Sequence, residues 1–107
     1  MNALYYESHV TIEPVDEDGR AKIEEIIKPS GFKLAKLLMQ KRNVDTPERS
    51  KYDTFCTGHS TDVQDIMNMM VGCIWCLQQA GFKVWRYKIE SVIIDSRNED
   101  SLNLLKD

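Results

Sequence analysis

Apolar and polar residues alternate in the first segment of the chain, residues 4–15. A period of two places successive side chains on opposite faces of a strand, so this segment is predicted to be a half-buried strand that ends at Pro14. Four side chains are expected to face the core: Tyr6, Ser8, Val10 and Ile12. Four others are expected to face away from it: Glu7, His9, Thr11 and Glu13.

The segment at residues 16–28 has the spacing of an amphipathic helix, with acidic residues in its first turn and Gly31 as the expected stop. The segment at residues 31–40 is short and apolar. It is interpreted as a second strand, although its Leu, Lys and Met residues also suit a helix. Residues 41–51 contain Pro47 and show no periodicity, which predicts a loop.

A second helix is predicted over residues 60–81, after a third strand at residues 52–59. Thr61 is the expected N-cap, with Gln64 three residues later, and Gly81 is the expected stop. The core-facing row of this helix is predicted to be Val63, Ile66, Met70, Cys73, Ile74 and Leu77. A further apolar row extends around the helix and consists of Met67, Met69, Val71 and Trp75.

Residues 82–95 alternate again and predict a last strand. Its expected core-facing side chains are Trp85, Tyr87 and Ile89, whereas Arg86, Lys88 and Glu90 face the other way. The order strand, helix, strand, strand, helix, strand is typical of a ferredoxin-like α+β fold, a four-stranded antiparallel sheet with two helices on one face. We therefore predict a single domain over residues 1–96, with the first and third strands as central neighbours, and a polar tail over residues 97–107.

The composition is that of an ordinary soluble protein of one domain: 107 residues, 42% hydrophobic and 29% charged. The net charge of −3 gives the whole chain no attraction to nucleic acid, so any site for a phosphate must be local. No apolar run is long enough to span a membrane. Three cysteines without a framework spacing predict a reducing, cytoplasmic location.

Cys73 and Cys76 form a C-x-x-C pair in the middle of the second predicted helix. A redox pair needs its first cysteine at a helix N-terminus, where the thiolate is stabilised, so we interpret these cysteines as packing residues. Together with Cys56 and His59 they would supply four side chains of zinc-ligand type, but the spacing matches no standard zinc site. We therefore expect neither a metal nor another cofactor.

Two short motifs recur at an offset of fifty residues. His-x-Thr occurs at His9 and again at His59, and Gly-Phe-Lys occurs at Gly31 and again at Gly81. Such an offset is expected if the two βαβ halves of the fold are related by a pseudo-two-fold axis. The alternative is a coincidence in a short chain.

The two histidines are expected to share the sheet face that the helices leave open. Two imidazoles on neighbouring strands can divide the work of a general base and a general acid, because an ordinary imidazole titrates near neutral pH. Hydroxyls and cations can hold the charge of a phosphoryl group, and the candidates are Thr11, Thr61, Lys36, Arg86 and Lys88. The alternative is that His59 lies in the turn after Gly58, away from His9.

The paired motifs at His9 and Thr11 and at His59 and Thr61 resemble those of the 2H phosphoesterase superfamily. The resemblance covers roughly residues 4–94. It implies a metal-independent phosphodiesterase or a nucleotide binder that acts on a cyclic phosphate, a cyclic nucleotide or an RNA end. His9 and His59 would then be the acid/base pair, and Thr11 and Thr61 would bind the phosphate.

The segment YYESHVTIEPV, residues 5–15, resembles the opening of small proteins encoded by tailed bacteriophages. This resemblance implies a role in host takeover or counter-defence, with a host protein as partner. The alternative to an enzyme is a non-catalytic interaction module that works through Met67, Val71 and Trp75 of the second apolar row. A homodimer is the simplest form of such a module, unless the C-terminal tail folds over the row instead.

Overall fold

The strands and helices follow one another in the predicted order. The structure is a computed structural model that describes residues 3–35 and 54–93. Its elements are β1 (Tyr5–Ile12), α1 (Glu17–Ile26), β2 (Lys33–Leu34), β3 (Thr54–Ser60), α2 (Val63–Gln79) and β4 (Val84–Val92), with a 3-10 turn at Lys28–Ser30. The predicted continuation of the second strand to residue 40, the loop at residues 41–51 and the tail from residue 97 lie outside the described residues.

The four strands form one antiparallel sheet in the order β2-β3-β1-β4. The two central strands, β1 and β3, pair with each other, and β4 pairs with the other side of β1. This topology confirms the predicted ferredoxin-like α+β fold. None of the described helices is long and apolar enough to cross a membrane.

The core lies between the sheet and the two helices. Its fully buried apolar members are Val10, Ile12, Ile23, Ile27, Cys56, Ile66, Cys73 and Leu77. The alternation predicted for β1 is confirmed, because Ser8, Val10 and Ile12 are buried while the residues between them are not. The strand therefore presents one face to the helices and leaves the other face for polar side chains.

The cysteines of α2 pack as predicted: Cys73 is fully buried, and Cys76 is half-buried. Hydrogen bonding to the Cys56 thiol, together with burial, raises the pKa of the Cys73 thiol well above its ordinary value. A thiol held in its protonated form is a poor nucleophile, so Cys73 behaves as a small apolar group of the core.

An aspartate, not a threonine, begins α2. The Asp62 carboxylate accepts a hydrogen bond from the Asp65 backbone N–H at 2.8 Å. Ser60 supports this turn, because its hydroxyl accepts from the Asp62 N–H at 3.1 Å and donates to the Asp65 carboxylate at 2.8 Å. The prediction that Thr61 caps the helix is therefore wrong, since the cap lies one residue later.

Two predictions about the faces of α2 are wrong. Val63, expected in the core, is 46% exposed; it is the first residue of α2 and lies at the end of the core-facing row, whereas Met70 and Ile74 on the same side of the helix pack on the core. Met69, expected on the second apolar row, packs against the core beside Gly31. The other members of that row are exposed as predicted: Met67, Val71 and Trp75.

Two aromatic residues of β4 that were expected in the core are exposed instead. Arg86 pairs with Thr11, but Val84 pairs with Ile12, so Trp85 is the extra residue of a β-bulge and is 55% exposed. Tyr87 lies on the helix side of the sheet, but it is 59% exposed because β4 is an edge strand of the described sheet. The alternation of β4 thus gives the correct face for Tyr87 but not its burial.

The fifty-residue offset has a counterpart in the central strand pair. Ser8 pairs directly with Gly58, the position fifty residues later, so a local two-fold axis passes through this pair. Gly31 and Gly81 are also equivalent, because both follow a helical segment in the left-handed conformation, with φ of 83° and 89°. Glycine is favoured there, since other residues are strained at such angles.

Gly58→Ala should destabilise the fold by roughly 1–3 kcal/mol, because the added methyl group would overlap a packed aromatic ring. A Cβ at Gly58 would lie 2.6 Å from ring carbons of Phe32, which is 2% exposed. Urea unfolding followed by circular dichroism measures the change. Gly72→Ala is the matched control, because its Cβ would meet only Ser30, at 3.7 Å, and should be neutral or stabilising. Equal stability of G58A and the wild type would contradict the packing of Phe32 on β3.

Candidate functional site

The sheet face turned away from the helices gathers polar and aromatic side chains from all four strands. Residues directly opposite each other on antiparallel strands share a face, so the register fixes the members of this surface. We call it the open face, and it comprises Lys33 on β2, Tyr5, Glu7, His9 and Thr11 on β1, Phe55, Thr57 and His59 on β3, and Arg86, Lys88 and Glu90 on β4.

Both histidines lie on the open face, on the two central strands. His59 belongs to β3, so the alternative that placed it in a turn after Gly58 is wrong. His9 lies opposite Thr57, and His59 lies opposite Glu7. The histidines are therefore diagonal neighbours, and the Cα atoms of such neighbours are roughly 7–8 Å apart.

Glu7 lies between the two histidines and links the central strands. Its Oε1 accepts hydrogen bonds from His9 Nε2 at 3.1 Å and from the Thr57 hydroxyl at 3.3 Å. Because an ionised carboxylate can only accept hydrogen bonds, the hydrogen bond between His9 and Glu7 requires a proton on His9 Nε2. Sequence reasoning placed Glu7 on this face but did not include it among the site residues. The fifty-residue offset was the available signal, since it relates Glu7 to Thr57 just as it relates the histidines.

An aromatic ring accompanies each histidine. The ring centroids of His9 and Phe55 are 5.2 Å apart, and those of His59 and Tyr5 are 5.9 Å apart. Tyr5 and Phe55 are themselves separated by fifty residues, so the two contacts are equivalent under the local two-fold axis. Aromatic contacts at these distances contribute about 0.5–1.5 kcal/mol and help to hold each imidazole in one orientation.

Basic side chains of β4 border this central group. Lys88 lies opposite His9 and forms an ion pair with Glu90. The Lys88 ammonium donates to the Glu90 carboxylate and lowers the pKa of that carboxyl, with smaller contributions from His9 and Arg86. Arg86 lies opposite Thr11, further along the same face. The open face is therefore mixed in charge, and Lys88 is partly neutralised by Glu90.

The structure brings together some of the predicted phosphate ligands but not all. On the open face lie Thr11, Arg86 and Lys88. Thr61 lies in the exposed turn between β3 and α2, beyond the end of the strand. Lys36 lies outside the described residues. Sequence reasoning did not single out Lys33, which pairs with Thr57 across β2 and β3.

A depression of about 870 Å³ borders the histidines and continues around the edge of β2 toward α1. Glu7, His9, Thr57 and His59 line it on the open face, and Glu24, Lys28 and Lys33 line it at the edge. Its volume is in the range of ordinary small-molecule sites. Within residues 3–35 and 54–93, no group of three or more His, Cys, Asp or Glu side chains is arranged to hold a metal ion.

Comparison of the chain with known protein families, with curated proteins and with solved structures gave no match. The chemistry of the open face must therefore be inferred from its own geometry. On this face one imidazole and one hydroxyl, those of His9 and Thr57, converge on the anionic oxygen of Glu7, and the second imidazole lies opposite Glu7 on β3.

Lys88→Met should raise the pKa of Glu90 toward its ordinary value, because it removes the ammonium that lowers it. NMR titration of the side-chain carboxyl measures this, and Lys33→Met, on β2, should leave it unchanged. A carboxyl with a lowered folded-state pKa stabilises the fold above its ordinary pKa and loses this contribution as the pH falls through the folded value. Any stability advantage of the wild type over K88M should therefore fade below about pH 4. An unchanged Glu90 titration in K88M would contradict the ion pair.

Proposed function

We propose that the open face binds the phosphate of a nucleotide or RNA end, and that His9 and His59 cleave a phosphodiester there by acid–base catalysis. The substrate class is a cyclic phosphate, a cyclic nucleotide or an RNA end. The diagonal placement of the two histidines supports this, because one phosphate group could contact both imidazoles. The resemblance of the two His-x-Thr motifs to those of 2H phosphoesterases supports the same reaction, without a metal ion.

The main observation in support of the proposal is the pair of hydrogen bonds that the Glu7 carboxylate accepts. One carboxylate oxygen receives both the His9 Nε2–H, at 3.1 Å, and the Thr57 hydroxyl, at 3.3 Å. Donors from two strands thus converge on one anionic oxygen, which stands in for a phosphate oxygen. Carboxylate and phosphate oxygens form the same kind of charge-assisted hydrogen bond. In the proposed complex, the phosphate displaces the Glu7 carboxylate from these donors.

The proposed step is hydrolysis by a water molecule. His59 takes a proton from the water as its oxygen forms a bond to phosphorus. The bond from phosphorus to the leaving ribose oxygen breaks, and protonated His9 gives its Nε2 proton to that oxygen. One water is added across one P–O bond, and the histidines return to their starting protonation through solvent. His9 is assigned as the acid because its Nε2–H points at the anionic oxygen of Glu7, whose place the phosphate would take.

Groups around the histidines would stabilise the charge of the transition state. Thr11, Arg86 and Lys88 share the face with His9, and such donors act most strongly when they are fixed before the reaction. Lys88 would exchange its contact with Glu90 for a phosphate oxygen. Glu7 has the opposite effect, because its negative charge competes with the phosphate for the same donors.

Turnover should be detectable with EDTA present, using a panel of 2′,3′-cyclic nucleotides, cyclic dinucleotides and short RNAs. His9→Ala and His59→Ala should each lower kcat by roughly 10²–10⁴-fold, the usual contribution of one positioned acid or base. Gly72→Ala, on the helix layer, is the control and should keep full activity. Full activity in either histidine variant would exclude the paired mechanism.

Glu7→Gln tests whether a phosphate takes the place of the Glu7 carboxylate. The test measures binding and does not depend on turnover. Removing the competing charge should tighten the binding of a nucleotide monophosphate several-fold, as measured by calorimetry, whereas Thr57→Val should weaken it. Binding without any turnover in the wild type would identify a nucleotide binder that uses the same face. Weaker binding in E7Q, or no binding and no turnover in the wild type, would overturn the proposal.

A second candidate function is supported by the exposed residues of α2. Met67, Val71 and Trp75 are 45%, 61% and 61% exposed on the same helix whose other side packs on the core. A helix that is apolar on two sides is commonly buried on both. Under this alternative the protein is a non-catalytic interaction module, as a homodimer or bound to a host protein, and the histidines do not react. Wild-type behaviour of both histidine variants would favour it.

A further inference from the structure

One flank of α2 carries an apolar stripe, which we define as Val63, Met67, Val71 and Trp75. Their spacing of four residues places them in one ridge along the helix surface. They are 46%, 45%, 61% and 61% exposed, in chain order. The ridge extends about 18 Å along the helix axis. The stripe lies on the helix layer, apart from the open face, so its role is independent of the proposed reaction.

The stripe lacks the charges that normally accompany a solvated helix surface. Among the 17 residues of α2, Asp65 in the first turn is the one charged side chain, although 29% of the whole chain is charged. Helix sides that face water are usually rich in charged residues. The composition of α2 therefore indicates an apolar protein surface as the partner, rather than a charged ligand such as a nucleic acid.

We propose that the stripe binds the same stripe of a second copy of this chain, with the two helices antiparallel about a two-fold axis. The stripe is self-complementary in side-chain size when it is read in opposite directions. An axis midway between Met67 and Val71 places Val63 opposite the partner's Trp75, and Met67 opposite the partner's Val71. Each contact then joins a small side chain to a large one, which fills the interface without overlap.

Charge favours the antiparallel over the parallel arrangement. Asp62 and Asp65 both lie at the N-terminal end of α2. Parallel helices would bring four carboxylates together, whereas antiparallel helices place the two acidic ends at opposite ends of the interface. The positive N-terminal end of each helix dipole also approaches the negative C-terminal end of the other. Size and charge thus select the same orientation.

The geometry of the stripe also predicts the strength of the contact. Because α2 packs across β1, β3 and β4, the contact can extend to Tyr87, which is 59% exposed on the helix side of β4. A single helix pair buries an area at the low end of specific interfaces, so we expect a dissociation constant on the order of micromolar.

Sedimentation equilibrium of the full chain, over a concentration series across the micromolar range, should show a reversible dimer. Val71→Glu should raise the dissociation constant at least ~100-fold, because two carboxylates per dimer would be buried near the axis. Ala21→Glu, on an exposed position of α1, is the matched control and should leave it unchanged. Circular dichroism confirms that both variants are folded. A monomeric wild type, or a V71E dimer as tight as the wild type, overturns the proposal.

Exchanging the large and the small side chain at positions 67 and 71 tests the proposed pairing of residues across the dimer interface. Met67→Val alone leaves a void against the partner's Val71, and Val71→Met alone crowds the partner's Met67, so each should raise the dissociation constant about tenfold. The double variant M67V/V71M restores one large and one small side chain per contact and should return to within about threefold of the wild type. If the losses of dimer affinity in the two single variants simply add up in the double variant, the proposed pairing of residues 67 and 71 is wrong.

Discussion

The register of β1 against β3 is the constraint on which both the fold and the candidate site depend. With Ser8 opposite Gly58, the backbone of β3 lies close beneath the Phe32 ring. Because side chains alternate, a slip of one residue would turn the open-face side chains of β3, His59 included, toward the core. It would also place a side chain beneath the ring, where only glycine fits. The packing of Phe32 on one face of the sheet therefore helps to fix His59 on the other.

The sequence predicted the faces of β1 because one side of that central strand lies against a continuous core, and a period of two is then a direct record of burial. The same reasoning was less accurate on β4. A bulge at Trp85 shifts the pairing by one residue, and a bulge leaves no mark in an alternating pattern. Tyr87 has the predicted face but is exposed, because β4 is an edge strand of the sheet formed by the described residues. Burial at an edge depends on tertiary neighbours rather than on period.

The remaining errors of the sequence-based prediction concern side-chain hydrogen bonds. Thr61 and Asp62 both suit an N-cap, and only the path of the chain from β3 decides that the Asp62 carboxylate reaches the free N–H group. From the sequence alone, Glu7 would be taken for a solvent-exposed charge. Its hydrogen bonds are not predictable there, because one of its two donors, Thr57, lies on another strand. Spacing along the chain predicts which face such a residue shares. It does not predict which hydrogen bonds the residue makes there.

Around the Ser8 and Gly58 pair the backbone of the repeat is symmetric, but the side chains of the two halves differ. The local axis relates His9 to His59, but it relates Glu7 to Thr57, so a carboxylate in one half corresponds to a hydroxyl in the other. That carboxylate bonds to His9, while His59 contacts the Tyr5 ring. An acid–base pair needs surroundings that differ. In the proposed mechanism, the exchange of the Glu7 carboxylate for the Thr57 hydroxyl is one of the differences between the halves that would give the two histidines opposite roles.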